Sequence, residues 1–373
     1  NDANAYPNVY VRDLDTGITE SGQGPFNCAG SAASSPSCSI PTSSVPGCTE
    51  DSLLAPLHAN DEVHAISAAL GRAFIGGTFT DINQIARNRF AVIDEATGDA
   101  IPCFDPVING PVYAVKAIGS TVYIGGRFTT VDGQPRNNLA AFNAVTGQLL
   151  SWNPSVTGVS AESTAVYALE TSSVGNVYIG GSFSQVSGSN RQHAAAVDSI
   201  TGAVSEWNPQ LSPASVVRAI RLGSQNSRVY LGGYRLLKAV DPWTGATQTG
   251  WNPRSSDATS DTLFAIDYDP ASDTVYVGGD FTALGSAVRR GVAAIDGTTG
   301  VVKPWNASID SEGFSSVRTV IYRDRLYIGG GFSSMQNQSR TNVAAFERTG
   351  ALSTWNPGAD GQVFALARGS ERL

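Results

Sequence analysis

Four cysteines, three histidines, and sets of arginines and tryptophans that recur in register are the residues of this chain whose chemistry asks to be weighed first. Cys28, Cys38 and Cys48 fall in the Ser/Pro/Gly-rich stretch CAGSAASSPSCSIPTSSVPGC, and Cys103 stands apart. An even number in a loop context predicts two disulfides and an oxidising compartment. Zinc is the competing reading, but the spacing is far wider than a C-x₂₋₄-C pair and no histidine lies inside the segment. Four cysteines allow three pairings. We expect Cys103 to pair with one of the three loop cysteines, tying that loop to the body of the protein.

The histidines, His58, His64 and His193, lack metal-ligand spacing and read as structural, although His58 and His64 flank the cysteine-rich segment. Neither G-x-S-x-G nor H-E-x-x-H occurs. The densest acidic stretch holds Asp257, Asp261, Asp267, Asp269 and Asp273. It does not follow the ligand order of an EF-hand, so it reads as a solvated loop, with calcium the one cofactor left as an alternative. Asn306-Ala307-Ser308 and Asn337-Gln338-Ser339 match the glycosylation sequon.

The tryptophans close near-copies of one phrase: AVTGQLLSWNP, SITGAVSEWNP, GTTGVVKPWNA and RTGALSTWNP. Trp152, Trp207, Trp305 and Trp355 stand five residues after the glycine of a Thr-Gly turn, and Trp251 one later. A flat ring found in nearly every copy is a packing element before it is a sugar platform. Arg87, Arg136, Arg191, Arg289 and Arg340 stand seven residues ahead of the acidic or Asn position that opens the turn. They read as internal braces, with a ring of anion-binding guanidinium groups as the alternative.

These residues sit on a repeat of roughly 50 residues, a period typical of propellers and solenoids. Each copy holds a strand-like run (VHAI, VYAV, VYAL, VRAI, LFAI, VRTV), then a strand ending in two glycines, as in VYIGG. A polar turn, a third apolar run such as LAAFN, Asp-x-x-Thr-Gly and a short fourth strand follow. The glycine pairs open no helix, so they suit a bulge or close backbone approach rather than a phosphate cradle. The fold expected is an all-β, seven-bladed β-propeller of four-stranded antiparallel blades, forming one domain. Blades fall near 63–111, 112–165, 166–216, 217–262, 263–316 and 317–362, and residues 28–60 form an insertion. The fourth blade, GGYRLLKAVD, lacks the polar turn. VYVRDLDTGITES near the start matches third and fourth strands, and VFALARGSERL at the finish matches a first. Residues 1–27 and 363–373 are therefore expected to share the closing blade. That blade is one strand short, which favours a natural chain continuing past Leu373.

Composition limits the partners. Lys and Arg total 24 against 32 Asp and Glu, a net charge of −8 with no basic cluster, which argues against nucleic acid. No stretch is apolar for long enough to insert in a membrane.

The unit VYIGGRFTTVDGQPRNNLAAFNAVTGQLLSWNP closely resembles the delta-sixty β-propeller repeat of bacterial secreted and cell-surface proteins. The resemblance covers all but residues 28–60 and implies a secreted or surface location without a catalytic signature. Asp-x-x-Thr-Gly followed by Trp is also similar in architecture to quinone-dependent dehydrogenase propellers, but the adjacent cysteine pair often found there is missing. The expected function is an extracellular, non-enzymatic binding or assembly module. Its partner is another protein, a second copy or a surface glycan. The alternatives are an enzyme acting on a polysaccharide or small molecule at the channel mouth, and a segment of an adhesin or filament.

Overall fold

The computed structural model describes residues 8–9, 57–158, 160, 162–253, 261–309 and 316–369. Asn8–Val9 pairs antiparallel with Leu57–His58, whereas Cys28, Cys38, Cys48, the rest of the closing-blade run expected before residue 28, Asp257, and Arg372-Leu373 lie outside the described residues.

Among the described residues the chain is all-β, with small antiparallel sheets and one 3₁₀ turn at Ser224–Asn226. Six sheets repeat one plan in which the second strand lies between the first and the third. The first strands are Val63–Ala69, Val112–Ile118, Ala165–Thr171, Val216–Leu222, Leu263–Asp269 and Ser316–Tyr322. The second strands are Arg72–Gly77, Thr121–Gly126, Asn176–Ser182, Val229–Tyr234, Thr274–Gly279 and Leu326–Gly331. A fourth segment joins each sheet after the turn through a single bridge, such as Phe142 to Leu149 or Ile295 to Val302. It is shorter than the sequence suggests.

Five units carry a two-residue hairpin between second and third strands, for example Thr130–Val131 with Gln134–Pro135. The fourth has none. Val229–Tyr234 passes into Leu236–Val240 through Arg235 alone, at φ 53°.

The core lies between units as much as within them. Phe74, Phe90 and Val92 of the first unit pack with Val112, Ile124 and Phe142 of the second. Tyr123 and Leu139 of the second pack with Val166 and Ile179 of the third. A strand covered on both faces must be apolar on both, and Arg72–Gly77 is buried at all its positions. Each large side chain so covered contributes roughly 1.5–3 kcal/mol.

The glycine pairs make that approach feasible. A Cβ on the first glycine would meet an aliphatic side chain of the following first strand, a valine in most units and Ile266 for Gly232. Gly125 would meet Val166 at 2.6 Å, and Gly278 would meet Val317 at 2.7 Å. A Cβ on the second glycine would strike the carbonyl ahead of its own unit's first strand, Pro111 O for Gly126 and Thr262 O for Gly279. At this point the register of first and second strands slips by one residue in all six units.

Candidate binding ring

The slipped residues are His64, Tyr113, Tyr167, Arg218, Phe264 and Arg318. A bulge takes its residue out of the alternation of the strand and aims the side chain elsewhere. Here it aims all six at one another. Tyr113 lies 5.2 Å from His64 and 5.3 Å from Tyr167, ring centre to ring centre. The Arg218 guanidinium stands 4.5 Å over Tyr167 and 5.8 Å from Phe264. That of Arg318 stands 4.1 Å over Phe264 and 5.7 Å from Phe364. Phe364 in turn meets His64 edge-on at 5.9 Å. The contacts thus return to their starting residue, and every member is half-buried.

The electrostatics of this ring are one-sided. Among the described residues neither Arg218 nor Arg318 has an ion-pair or hydrogen-bond partner for its guanidinium, and the Nε of each is buried without a partner. Burial, and then the charge of Arg218, pull Arg318 below the usual guanidinium range, while Asp280 and Glu62 oppose that from farther off. Burial also lowers His64, against the pull of Glu62, which lies 3.5 Å from its Nε2. Burial raises the Tyr113 phenol, which stays a neutral O–H.

Three residues further along the first strands a second layer alternates in sign. Lys116 Nζ lies 2.5 Å from Glu170, and Arg221 bridges Glu170 at 3.1 Å and Asp267 at 2.8 Å. Arg368 reaches Asp267 at 2.9 Å and also donates to the Tyr322 carbonyl. The backbone N–H of Tyr322 donates to Asp267 at 2.7 Å. Burial works against the Glu170 carboxylate, but Lys116 and Arg221 outweigh it and hold its pKa below the usual range. Both carboxylates are buried and spent on two cations each.

Apart from His64 in the ring and Asp267 in the charged layer, the residues that the sequence singles out stand elsewhere. Trp152, Trp207, Trp251 and Trp305 pack against Tyr123, Tyr178, Tyr230 and Tyr276 of their own units, with centres 5.0–6.0 Å apart. Each donates its Nε1–H to a turn carbonyl of the next unit: Asp198, Asp241, Asp296 or Gly350, at 2.9–3.0 Å. Trp355 is half-buried, edge-on to Tyr327 at 5.4 Å. The tyrosine hydroxyls of Tyr123, Tyr178 and Tyr230 reach the same turns, at Ser199, Pro242 and Gly297. Burial pushes Tyr230 up to about 12, so it remains a donor.

Arg136, Arg191, Arg289 and Arg340 donate from Nη1 to the preceding carbonyl and from Nη2 to Leu150, Ser205, Lys303 and Ser353. They brace the outer hairpin against the fourth segment. Arg87 donates to Ala86 and lies 3.5 Å from Asp105. The acidic stretch is dispersed: Asp267 belongs to the charged layer, Asp269 accepts from Ala271 and Ser272, and Asp273 accepts from Tyr268 and Thr298. Cys103 is disulfide-bonded. His193 is buried, with Nε2 3.3 Å from the Pro213 carbonyl, and His58 is exposed.

Two residues escape a reading of the repeat. Phe104 fills the place of the tryptophan in the first unit, 6.0 Å from Phe74 and against Gly147 of the next turn. The signal was present, since Trp251 carries the same one-residue offset. Neither phenylalanine can donate, and the buried Arg72 supplies the missing bonds, to the carbonyls of Ala144 at 2.8 Å and Val145 at 2.9 Å. The ring itself was hidden because its positions differ in residue type from unit to unit.

A cavity of about 570 Å³ opens within the second unit and the segment leading into it, lined in part by Asn109, Arg127, Asn138, Glu162 and Thr164. Its polar groups are already engaged: Asn109 bonds Thr129, Asn138 the Val156 carbonyl, Thr164 the Ser160 carbonyl, and Arg127 the Glu162 carbonyl. The ring, with half-buried aromatic groups and two guanidinium groups that no acid or carbonyl among the described residues pairs, is the stronger candidate.

No family model matches the chain, and no curated protein matches it. Among solved structures it is similar to the extracellular domain of a protein assigned to a one-component system in B. thetaiotaomicron. Identity is 12%, the TM-score is 0.49, and the match covers 77% of this chain and 32% of that one. The chain therefore spans about a third of the structure it matches. Among the described residues no helix is long and apolar enough to cross a membrane.

Proposed function

We propose that this chain is a seven-bladed β-propeller, closed by its own two ends, that serves as an extracellular, non-enzymatic binding module and takes a glycan partner at its central ring. The carrying observation is the cycle of seven side chains from His64 to Phe364. Six of them come from successive first strands, and the seventh comes from the C-terminal segment. Val363 supports the same reading, because it covers Gly329 as Val166 covers Gly125. Cys103 supports an oxidising location, and its partner is assigned to one of Cys28, Cys38 and Cys48.

Stacking faces and unpaired cations suit binding rather than turnover, and the carboxylates beneath them are already engaged. Aromatic faces bind the C–H side of a sugar, and half-buried stacking contributes roughly 0.5–1.5 kcal/mol per contact. The test is a glycan array probed with the intact chain and with Phe264→Ala. Signals retained by the intact chain should fall about tenfold in the variant, an effect of about 1.4 kcal/mol, at an unchanged melting temperature. Equal signals from both proteins would remove the ring from the binding site.

A further inference from the structure

Resting on the reading of the ring as the binding site, we infer that its ligand is an acidic saccharide, a chain carrying hexuronate carboxylates that seat between Arg218 and Arg318. Four features converge on that chemistry. The two guanidinium groups flank a single ring, Phe264, at 5.8 and 4.1 Å. Stacking fixes their planes, so each presents its fork of N–H donors edge-on instead of sweeping solvent. Neither has a carboxylate or carbonyl of this protein to satisfy it among the described residues, in a chain whose net charge is −8 and whose other inner-strand cations are all paired. Two cations left without counter-charge on either side of one half-buried aromatic ring raise the free energy of the empty site, and an incoming anion relieves that repulsion.

The neighbours narrow the anion to one borne on a sugar. Tyr167 lies beneath Arg218 and Tyr113 lies beside Tyr167, and the hydroxyls of both have no hydrogen-bond partner among the described residues. A hexuronate ring offers what these groups lack: a planar carboxylate for the forks, a C–H face for the aromatic rings, and hydroxyls for the phenols. A bare inorganic anion would leave the faces and phenols unused, and a neutral sugar would leave the guanidinium groups unpaired. Glu62 and Asp280 are the acids nearest to Arg318, and neither reaches ion-pair distance of it. They set a selection against anions offered from that side.

Titration calorimetry on the intact chain provides the test, using a soluble oligohexuronate and the same oligosaccharide with its carboxyl groups reduced to hydroxymethyl. The oligohexuronate should bind at least tenfold more tightly than its reduced form. Arg218→Gln and Arg318→Gln should each weaken the acidic sugar about tenfold to a hundredfold and leave the reduced sugar unchanged. Arg318→Lys, which keeps the charge and the stem but not the fork, should fall between and guards against a variant that fails to fold. Equal affinity for the two sugars, with both lost in Phe264→Ala, would overturn the acidic ligand and leave the ring as a site for neutral glycans. Tight binding of the oligohexuronate that neither arginine variant nor Phe264→Ala disturbs would overturn both readings. Failure of the oligohexuronate to bind at millimolar concentration would overturn the acidic ligand alone.

Discussion

Arg72 shows how one residue repairs an interface that has lost its usual donors. In the second, third and fourth units a tyrosine hydroxyl and a tryptophan N–H together satisfy the carbonyls of the next turn. The first unit has Phe74 and Phe104 there, and a buried guanidinium does the work from another direction. A buried carbonyl left without a donor costs roughly 1–3 kcal/mol. Arg72→Leu should therefore lower stability by about 2–4 kcal/mol, since two carbonyls lose partners at once. The check is a urea midpoint that shifts with little change in slope. Trp207→Phe, which removes one N–H and keeps most of the packing, should cost about half as much. The turns themselves make a pH prediction. The backbone and hydroxyl donors of Thr201 and Thr299 hold Asp198 and Asp296 below the usual carboxylate range, and those of Thr244 outweigh burial to do the same for Asp241. A carboxyl whose folded pKa lies below its unfolded value stabilises the fold fully above the unfolded pKa. That contribution is lost as pH falls through the folded one, here below about pH 4. Melting temperature should drop across that window and drop less when the three aspartates are replaced by asparagine. Asn143 already holds the corresponding turn of the second unit without a charge.

At the scale of the strand, the glycine pairs serve two neighbours with different give. The first glycine of a pair faces an aliphatic side chain that can shift, and the second faces a backbone carbonyl that cannot. Gly126→Ala should thus cost more than Gly125→Ala, whose overpacking penalty is about 1–3 kcal/mol. Gly250→Ala, with nothing within 4 Å of the added carbon, should be neutral in the same denaturation series. These elements were largely legible in the sequence, because Gly-Gly after Val-Tyr-Ile and Asp-x-x-Thr-Gly before Trp repeat in type as well as in spacing. The missing hairpin of the fourth unit could be counted directly from GGYRLLKAVD. The bulge was foreshadowed by the glycine pairs, but which side chain it would turn aside was not, since a slip of one residue leaves no mark on composition. The ring was obscured by the same event: at the slipped position the repeat holds His, Tyr, Tyr, Arg, Phe and Arg, which looks like noise until the backbone brings them together. The arginines that do recur are braces, because a job repeated in every unit is a job of the scaffold.

Across the whole molecule the C-terminal segment ties distant units together. Phe364 reaches the first unit at His64, Val363 covers Gly329 of the sixth, and Arg368 pairs with Asp267 of the fifth. If this closure stabilises the whole, the double variant Phe364→Ala, Arg368→Ala should speed amide hydrogen exchange in Val63–Ala69 and Ser316–Tyr322 well before Val216–Leu222. Uniform exchange in all three strands would contradict that coupling. The bulge has a further consequence for how such a protein diversifies. Because it withdraws one side chain per unit from the wedge contacts, that side chain is free to vary without disturbing the valine-on-glycine fit behind it. On the binding role proposed for the ring, selectivity and architecture are thereby written at separate addresses. Exchanging the six bulged letters would then alter the one and leave the strand packing as it is.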